Sequence, residues 1–133
     1  MIVRTLAAAF AYFAMVFACA FVLGAVRTLI VAPRIGPTAA VLLEAPIVLA
    51  ISWVAAGWTT RRLAVPRRTR PRLAMGAVAF LLLMAVEASV SIFAFGRTPG
   101  EYLAGFGGVA GVIGLVAQLG FAAAPMLRRI VID

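Results

Sequence analysis

Four long apolar runs dominate this sequence, and they restrict the possible folds more than any other feature. The first run, over Leu6–Val26, holds no charged residue in 21 positions. At about 1.5 Å of rise per residue, a helix of that length reaches ~31 Å and can cross the hydrocarbon core of a bilayer. The whole chain is 65% hydrophobic and only 12% charged, which is too apolar for a soluble domain. We therefore expect an integral membrane protein.

The runs predict an all-α fold, a transmembrane four-helix bundle with both termini in the cytoplasm. One membrane domain is expected over residues 1–133, with no room for a second domain. Turns rich in proline and glycine separate the first helix from the second and the third from the fourth, so consecutive helices should be antiparallel neighbours. The helices are expected over about residues 5–31, 35–58, 73–95 and 102–127, with a basic cytoplasmic loop over 59–72.

All 12 positive charges are arginines, and their distribution predicts the orientation. Nine lie on the side of the two termini and the 59–72 loop, and three lie on the other side. Cytoplasmic segments carry an excess of arginine, so this bias favours a bacterial inner-membrane protein with both termini inside. Because topology accounts for the charge, we expect membrane lipid and no nucleic acid as a partner. The residues expected to mark topology and contact lipid head groups are Arg61, Arg62, Arg67, Arg68, Arg70 and Arg72.

The residue types exclude several kinds of site. The chain has no histidine, and Cys19 is its only cysteine. An intrachain disulfide, a thiolate metal site and imidazole ligation of zinc or haem are therefore excluded, and we expect no metal and no cofactor. The P-loop, GxSxG and HExxH motifs of enzymes do not occur in the sequence. The first apolar run is too long for the core of a signal peptide, so we expect a retained helix.

Polar side chains inside the apolar runs need an explanation, because a charge at the centre of a bilayer is costly. Arg27, Glu44 and Glu87 are expected in the outer half of the membrane, below Arg34 in the turn. These four residues can form one cluster. Two explanations stay open: the glutamates pair with arginines and fix helix register, or at least one of them has a function. The candidates for binding or proton exchange are Glu44, Glu87, Arg27, Arg34, Gln118, Ser52 and Ser91.

Glycines precede Gln118 at helical spacing in the fourth run. Gly107, Gly111 and Gly114 are predicted to form a small-residue seam, since small side chains let helix backbones approach closely. The seam can pack within the bundle or join two copies of the chain, and both possibilities stay open.

Several short sequence motifs between residues 27 and 97 serve as landmarks. They are Arg27, Pro33-Arg34-Ile35-Gly36, Ala40–Glu44 with Pro46, Ser52-Trp53, Met75-Gly76, Phe80, Glu87 and Phe95-Gly96-Arg97. On these landmarks the chain resembles a family of small uncharacterised four-helix integral membrane proteins of proteobacteria. The resemblance covers most of the chain and implies the four-helix membrane fold, but it implies no activity.

Three functions are consistent with the sequence. The first is a non-enzymatic accessory or structural subunit that packs against itself or a membrane partner, as the glycine seam and short turns suggest. The second is a small transporter or solute-binding protein that uses the cluster of glutamates and arginines. The third is a lipid-handling membrane enzyme. We expect the first, so an enzymatic activity is not expected.

Overall fold

The computed structural model describes residues 2–130, and Met1 and residues 131–133 of the expected domain lie outside the described residues. Within residues 2–130 the regular secondary structure is entirely helical. Four helical segments are long and apolar enough to cross a membrane: Ile2–Ile35, Pro37–Arg62, Thr69–Ala94 and Val109–Arg129. The chain is therefore an all-helical protein with four candidate membrane spans.

The first two spans meet at a tight turn. Helix α1 covers Ile2–Val26, a π-helical turn covers Arg27–Val31, and the short helix α2 covers Ala32–Ile35. Gly36 then adopts a φ of 91°, a left-handed value that glycine reaches without steric cost. Helix α3, Pro37–Arg62, starts with a proline in its first turn, where the missing N–H has no partner to lose.

The third and fourth spans are interrupted more than the sequence predicts. Helix α4 covers Thr69–Ser89 and continues as a π-helical turn over Val90–Ala94. The fourth helix was expected from residue 102, but the structure has a short helix α5, Pro99–Ala104, a 3₁₀ turn, Gly105–Gly107, and helix α6, Val109–Ile130. Glycines lie at 105, 107 and 108, and their backbone freedom lowers helix propensity there.

The packing order of the spans differs in part from the expected one. Helices α1 and α6 each pack against both α3 and α4. Thus α1 with α3 and α4 with α6 are neighbours along the chain, whereas α3 and α4 stand diagonally across the bundle. The six-residue link over 63–68 makes this possible, because six extended residues reach ~20 Å and a bundle diagonal is about 14 Å.

The core of the bundle lies towards one end. We call the end that carries Arg4, the 63–68 link and Arg128 the basic end, and the opposite end the distal end. The basic half comprises residues 2–16, 52–83 and 119–130, and the distal half comprises the remaining described residues. The buried apolar core lies in the basic half and consists of Ala8, Ala9, Tyr12, Val16, Ala55, Ala56, Val65, Met75, Ala79, Leu83, Phe121 and Ala124.

Candidate functional site

The expected contact between an arginine and a glutamate forms in the distal half. Arg27 Nη1 lies 3.2 Å from Glu44 Oε2, and the Glu44 side chain is only 15% exposed. Side chains on a helix lean towards its N-terminus. Arg27 on the first span therefore leans away from the distal end, whereas Glu44 on the antiparallel second span leans towards it. The two side chains meet between the helices.

A second polar pair lies beside the first. Gln118 Nε2 donates a hydrogen bond of 2.6 Å to Glu87 Oε2. The same lean explains the contact, because Glu87 on α4 and Gln118 on α6 point towards each other from antiparallel helices. Glu87 is also close enough to Arg27 and Glu44 for electrostatic interaction. We call Arg27, Glu44, Glu87 and Gln118, together with Ser91, the distal polar site.

The distal polar site contains buried polar atoms that have no hydrogen-bond partner among the described residues. These atoms are Glu44 Oε2, Ser91 Oγ and Gln118 Oε1. Ser91 follows Glu87 by one helical turn and is only 6% exposed. Glu44 Oε2 has the ion pair with Arg27, but Ser91 Oγ and Gln118 Oε1 have no polar partner among the described residues. Buried polar atoms in proteins nearly always have a partner, so these two leave room for water, a proton or a small solute at the site.

Tyr102 on α5 lies close enough to this site to interact electrostatically with Glu87. Its hydroxyl lies 4.0 Å from Met84 Sδ, and its ring packs edge-to-face on Phe106 with centroids 5.3 Å apart. Burial raises the pKa of the Tyr102 phenol, and the nearby Glu87 carboxylate raises the pKa further. The sequence did not identify Tyr102 as a neighbour of this site, because its contacts come from a separate short helix and depend on the break at residues 105–108.

Two of the expected candidates lie outside this site. Arg34 is exposed in α2, and no ion pair to it occurs within residues 2–130. Ser52 is fully buried in the basic half, where its hydroxyl donates a bond of 2.8 Å to the Val48 carbonyl. Glu44 and Ser52 therefore do not meet, since eight residues of helix separate them by ~12 Å.

The basic half has a polar contact that the sequence analysis did not identify. The phenol of Tyr12 donates a hydrogen bond of 2.5 Å to the carbonyl of Phe121, and the two rings stack with centroids 4.5 Å apart. Pro125 explains the free carbonyl, because in α6 the N–H of residue 125 would otherwise bond to it. The tyrosine therefore supplies the donor that the proline lacks.

Arg72 differs from the other five arginines within residues 59–72 because it is only 1% exposed. Its guanidinium donates to the carbonyls of Pro66 at 3.3 Å, Pro125 at 3.1 Å and Val65 at 3.5 Å. It therefore joins the 63–68 link to the end of α6. A sequence signal for this burial existed, since Arg72 lies at helical spacing from the buried residues Met75, Ala79 and Leu83.

The other arginines expected at lipid head groups, Arg61, Arg62, Arg67, Arg68 and Arg70, are exposed. Arg67 Nη2 also donates to the Arg129 carbonyl at 3.1 Å. Trp58, Arg61 and Arg62 line an open groove of about 300 Å³ at the same end. These positions suit contact with lipid phosphates, and that role stays a prediction.

The glycines pack differently from the expected seam. A Cβ on Gly107 or Gly114 would meet no atom within 4 Å, and a Cβ on Gly111 would meet the backbone of Gly105 in its own chain segment. Within residues 2–130, then, these three glycines do not form an interface between helices. The close helix contact is instead at Gly76, where a Cβ would overlap the Ala122 carbonyl oxygen.

The chemistry of the distal polar site is ionic and hydrogen-bonding. Within the described residues, no three His, Cys, Asp or Glu side chains come close enough to hold a metal ion. One guanidinium, two carboxyl groups, an amide and a hydroxyl can bind a small polar solute or exchange a proton. Comparisons with protein families, with curated proteins and with solved structures gave no match for this chain.

Proposed function

We propose that this protein is a multi-pass protein of the bacterial inner membrane with both termini in the cytoplasm. The arginine bias supports the orientation: Arg27, Arg34 and Arg97 belong to the distal end, and the other nine arginines belong to the basic end. The family of small proteobacterial membrane proteins proposed from the sequence landmarks is consistent with four spans. Single cysteines at Ala64 and Thr98, in a Cys19→Ala background, should react with a membrane-impermeant thiol reagent from the cytoplasmic and the outer side respectively.

For the activity, we propose a small transporter or solute-binding protein that works through the distal polar site. The observation that carries this proposal is the convergence of two glutamates, one arginine and one glutamine, with two buried polar atoms that have no hydrogen-bond partner, Ser91 Oγ and Gln118 Oε1. A purely structural set of ion pairs needs full pairing to offset its desolvation. This site is only partly paired, which favours exchange with water or solute over the accessory role expected from the sequence.

The test is whether water reaches the site. In a Cys19→Ala background, Ser91→Cys should react with a membrane-impermeant thiol reagent added to the outside of right-side-out membrane vesicles. The matched control is Ala79→Cys, which places a thiol at a fully buried position in the basic half and should stay unreactive. If Ser91→Cys is as unreactive as Ala79→Cys, no aqueous path exists and the transport proposal fails.

An accessory subunit is the second candidate function, and one specific observation favours it. Gly107 and Gly114 have open space where a Cβ would stand, so their backbones are available to a neighbouring helix. Two differently tagged copies of the chain should then copurify, and Gly114→Leu should abolish copurification without lowering the stability of the monomer. Gly111→Leu is a poorer test, because it disturbs packing inside the chain.

A further inference from the structure

The charges of the distal polar site do not balance. The site holds one guanidinium, Arg27, and two carboxyl groups, Glu44 and Glu87. Arg27 and Glu44 neutralise each other at 3.2 Å, whereas the contact of Glu87 is with the neutral amide of Gln118. An ionised Glu87 would leave one uncompensated negative charge inside a membrane span, which is costly.

We propose that Glu87 is a proton-binding group that takes up and releases one proton, while Glu44 stays ionised beside Arg27. This inference rests on the proposed solute-binding role of the same site and names its ligand as a proton. The proton supplies the one positive charge that the site lacks. No bond other than the O–H bond of the carboxyl group is made or broken.

Neighbours of Glu87 can serve both of its protonation states. The ionised carboxylate accepts the hydrogen bond of 2.6 Å from Gln118 Nε2. A protonated carboxyl group needs an acceptor, and Gln118 Oε1 and Ser91 Oγ are both buried without a partner. Rotation of the Gln118 amide by half a turn presents its oxygen to the carboxyl proton, and the serine hydroxyl can donate or accept.

The other groups that face Glu87 do not replace the proton. Arg27 from the first span is already paired with Glu44 from α3. Tyr102 from α5 is close enough to sense the charge on Glu87, and its phenol is neutral. Gln118 from α6 is neutral as well. Among the described residues around Glu87, no unpaired cation is therefore available to hold it permanently ionised.

The experiment is infrared titration of the carboxyl groups in the full chain reconstituted in lipid vesicles. The unmodified chain should show a protonated carboxyl band that disappears as the pH rises. Glu87→Gln should lose that band, and the exposed control Glu101→Gln should keep it. The double variant Arg27→Gln/Glu44→Gln removes the neutral ion pair as a unit and should also keep the band. Glu87→Asp retains a carboxyl group and should show a shifted band, which separates loss of the proton site from loss of folding.

Three results would overturn the proposal: no protonated band at any pH, a band that never titrates, or a band that survives Glu87→Gln. These results are independent of the labelling of Ser91→Cys. If Ser91→Cys reacts but no carboxyl band titrates, the proposed solute site stands and the proposal that Glu87 binds a proton is wrong. An unreactive Ser91→Cys removes the proposed function itself.

Discussion

In the basic half, alanines and two stacked aromatic rings bring the helices together, and the buried side chains of Tyr12 and Arg72 donate to backbone carbonyls. In the distal half, the helices surround two carboxyl groups. Tyr12 and Arg72 show the first arrangement, since the donor groups of both reach backbone oxygens. Glu44, Ser91 and Gln118 show the second, since each leaves a buried oxygen without a hydrogen-bond partner. The buried apolar core and the proposed solute site therefore lie at different ends of the same four helices.

The largest expected loss of stability comes from removing the guanidinium of Arg72 in the basic half. Arg72→Met should lower the free energy of unfolding by about 3 kcal/mol, because the carbonyls of Val65, Pro66 and Pro125 lose their donor. The control Arg70→Met changes an exposed arginine on the same helix and should have little effect. Unfolding by a denaturing detergent in mixed micelles measures both. Equal stability of the two variants would mean that the guanidinium contacts do not hold the link to α6.

A pair of glycine variants compares the two halves directly. Gly76→Ala should cost about 2 kcal/mol, because its Cβ overlaps a backbone oxygen that cannot move aside. Gly114→Ala should stabilise α6 by about 0.5–1 kcal/mol, because its Cβ meets open space and alanine favours a helix. The same unfolding assay ranks them. Similar losses from both variants would show that the distal half is packed as closely as the basic half.

Tyr12 and Pro125 give a smaller effect with a built-in control. Tyr12→Phe should cost about 1 kcal/mol, because the Phe121 carbonyl loses its donor. In a Pro125→Ala background, the restored N–H of residue 125 satisfies that carbonyl, so Tyr12→Phe should cost much less. The double-mutant cycle is read from detergent unfolding. Additive losses would show that the two residues do not share this carbonyl.

The smallest effect belongs to the turn before α5. Thr98 and Glu101 form a capping box, and the backbone N–H of Thr98 donates to Glu101 Oε1 at 3.1 Å. This hydrogen bond lowers the pKa of Glu101 from its ordinary value, so its stabilising contribution is present above that value. The contribution is lost as the pH falls through the lowered pKa of the folded state. The protection of the Glu101 amide against hydrogen exchange, relative to its intrinsic rate at each pH, should therefore fall in acid. Glu101→Gln, whose side chain does not titrate, should abolish that dependence.

The number of spans follows from the sequence because hydrocarbon length and helix rise fix it. A cluster that includes Arg27 and Glu44 was also among the possibilities that the sequence left open, because both residues lie near the same turn between antiparallel helices. The burial of Arg72 was not identified, although its helical spacing with Met75, Ala79 and Leu83 indicated it. The partner of Glu87 was not identified, because it depends on how α4 rotates about its axis. Packing against α1 and α6 sets that rotation, and a single sequence does not state it.

The continuous helical segment Ile2–Ile35 has 34 residues, which corresponds to about 51 Å and exceeds the ~30 Å hydrocarbon thickness of a typical bilayer. Such a hydrophobic mismatch is relieved by tilting, by local thickening of the lipid, or by extension of the helix beyond it. The exposed residues Leu29, Ile30 and Ile35 at its distal end then lie near the head groups of a thin bilayer. Short-chain lipids should therefore loosen the end that contains Arg27 and Glu44, whereas the end joined by Arg72 should keep its contacts.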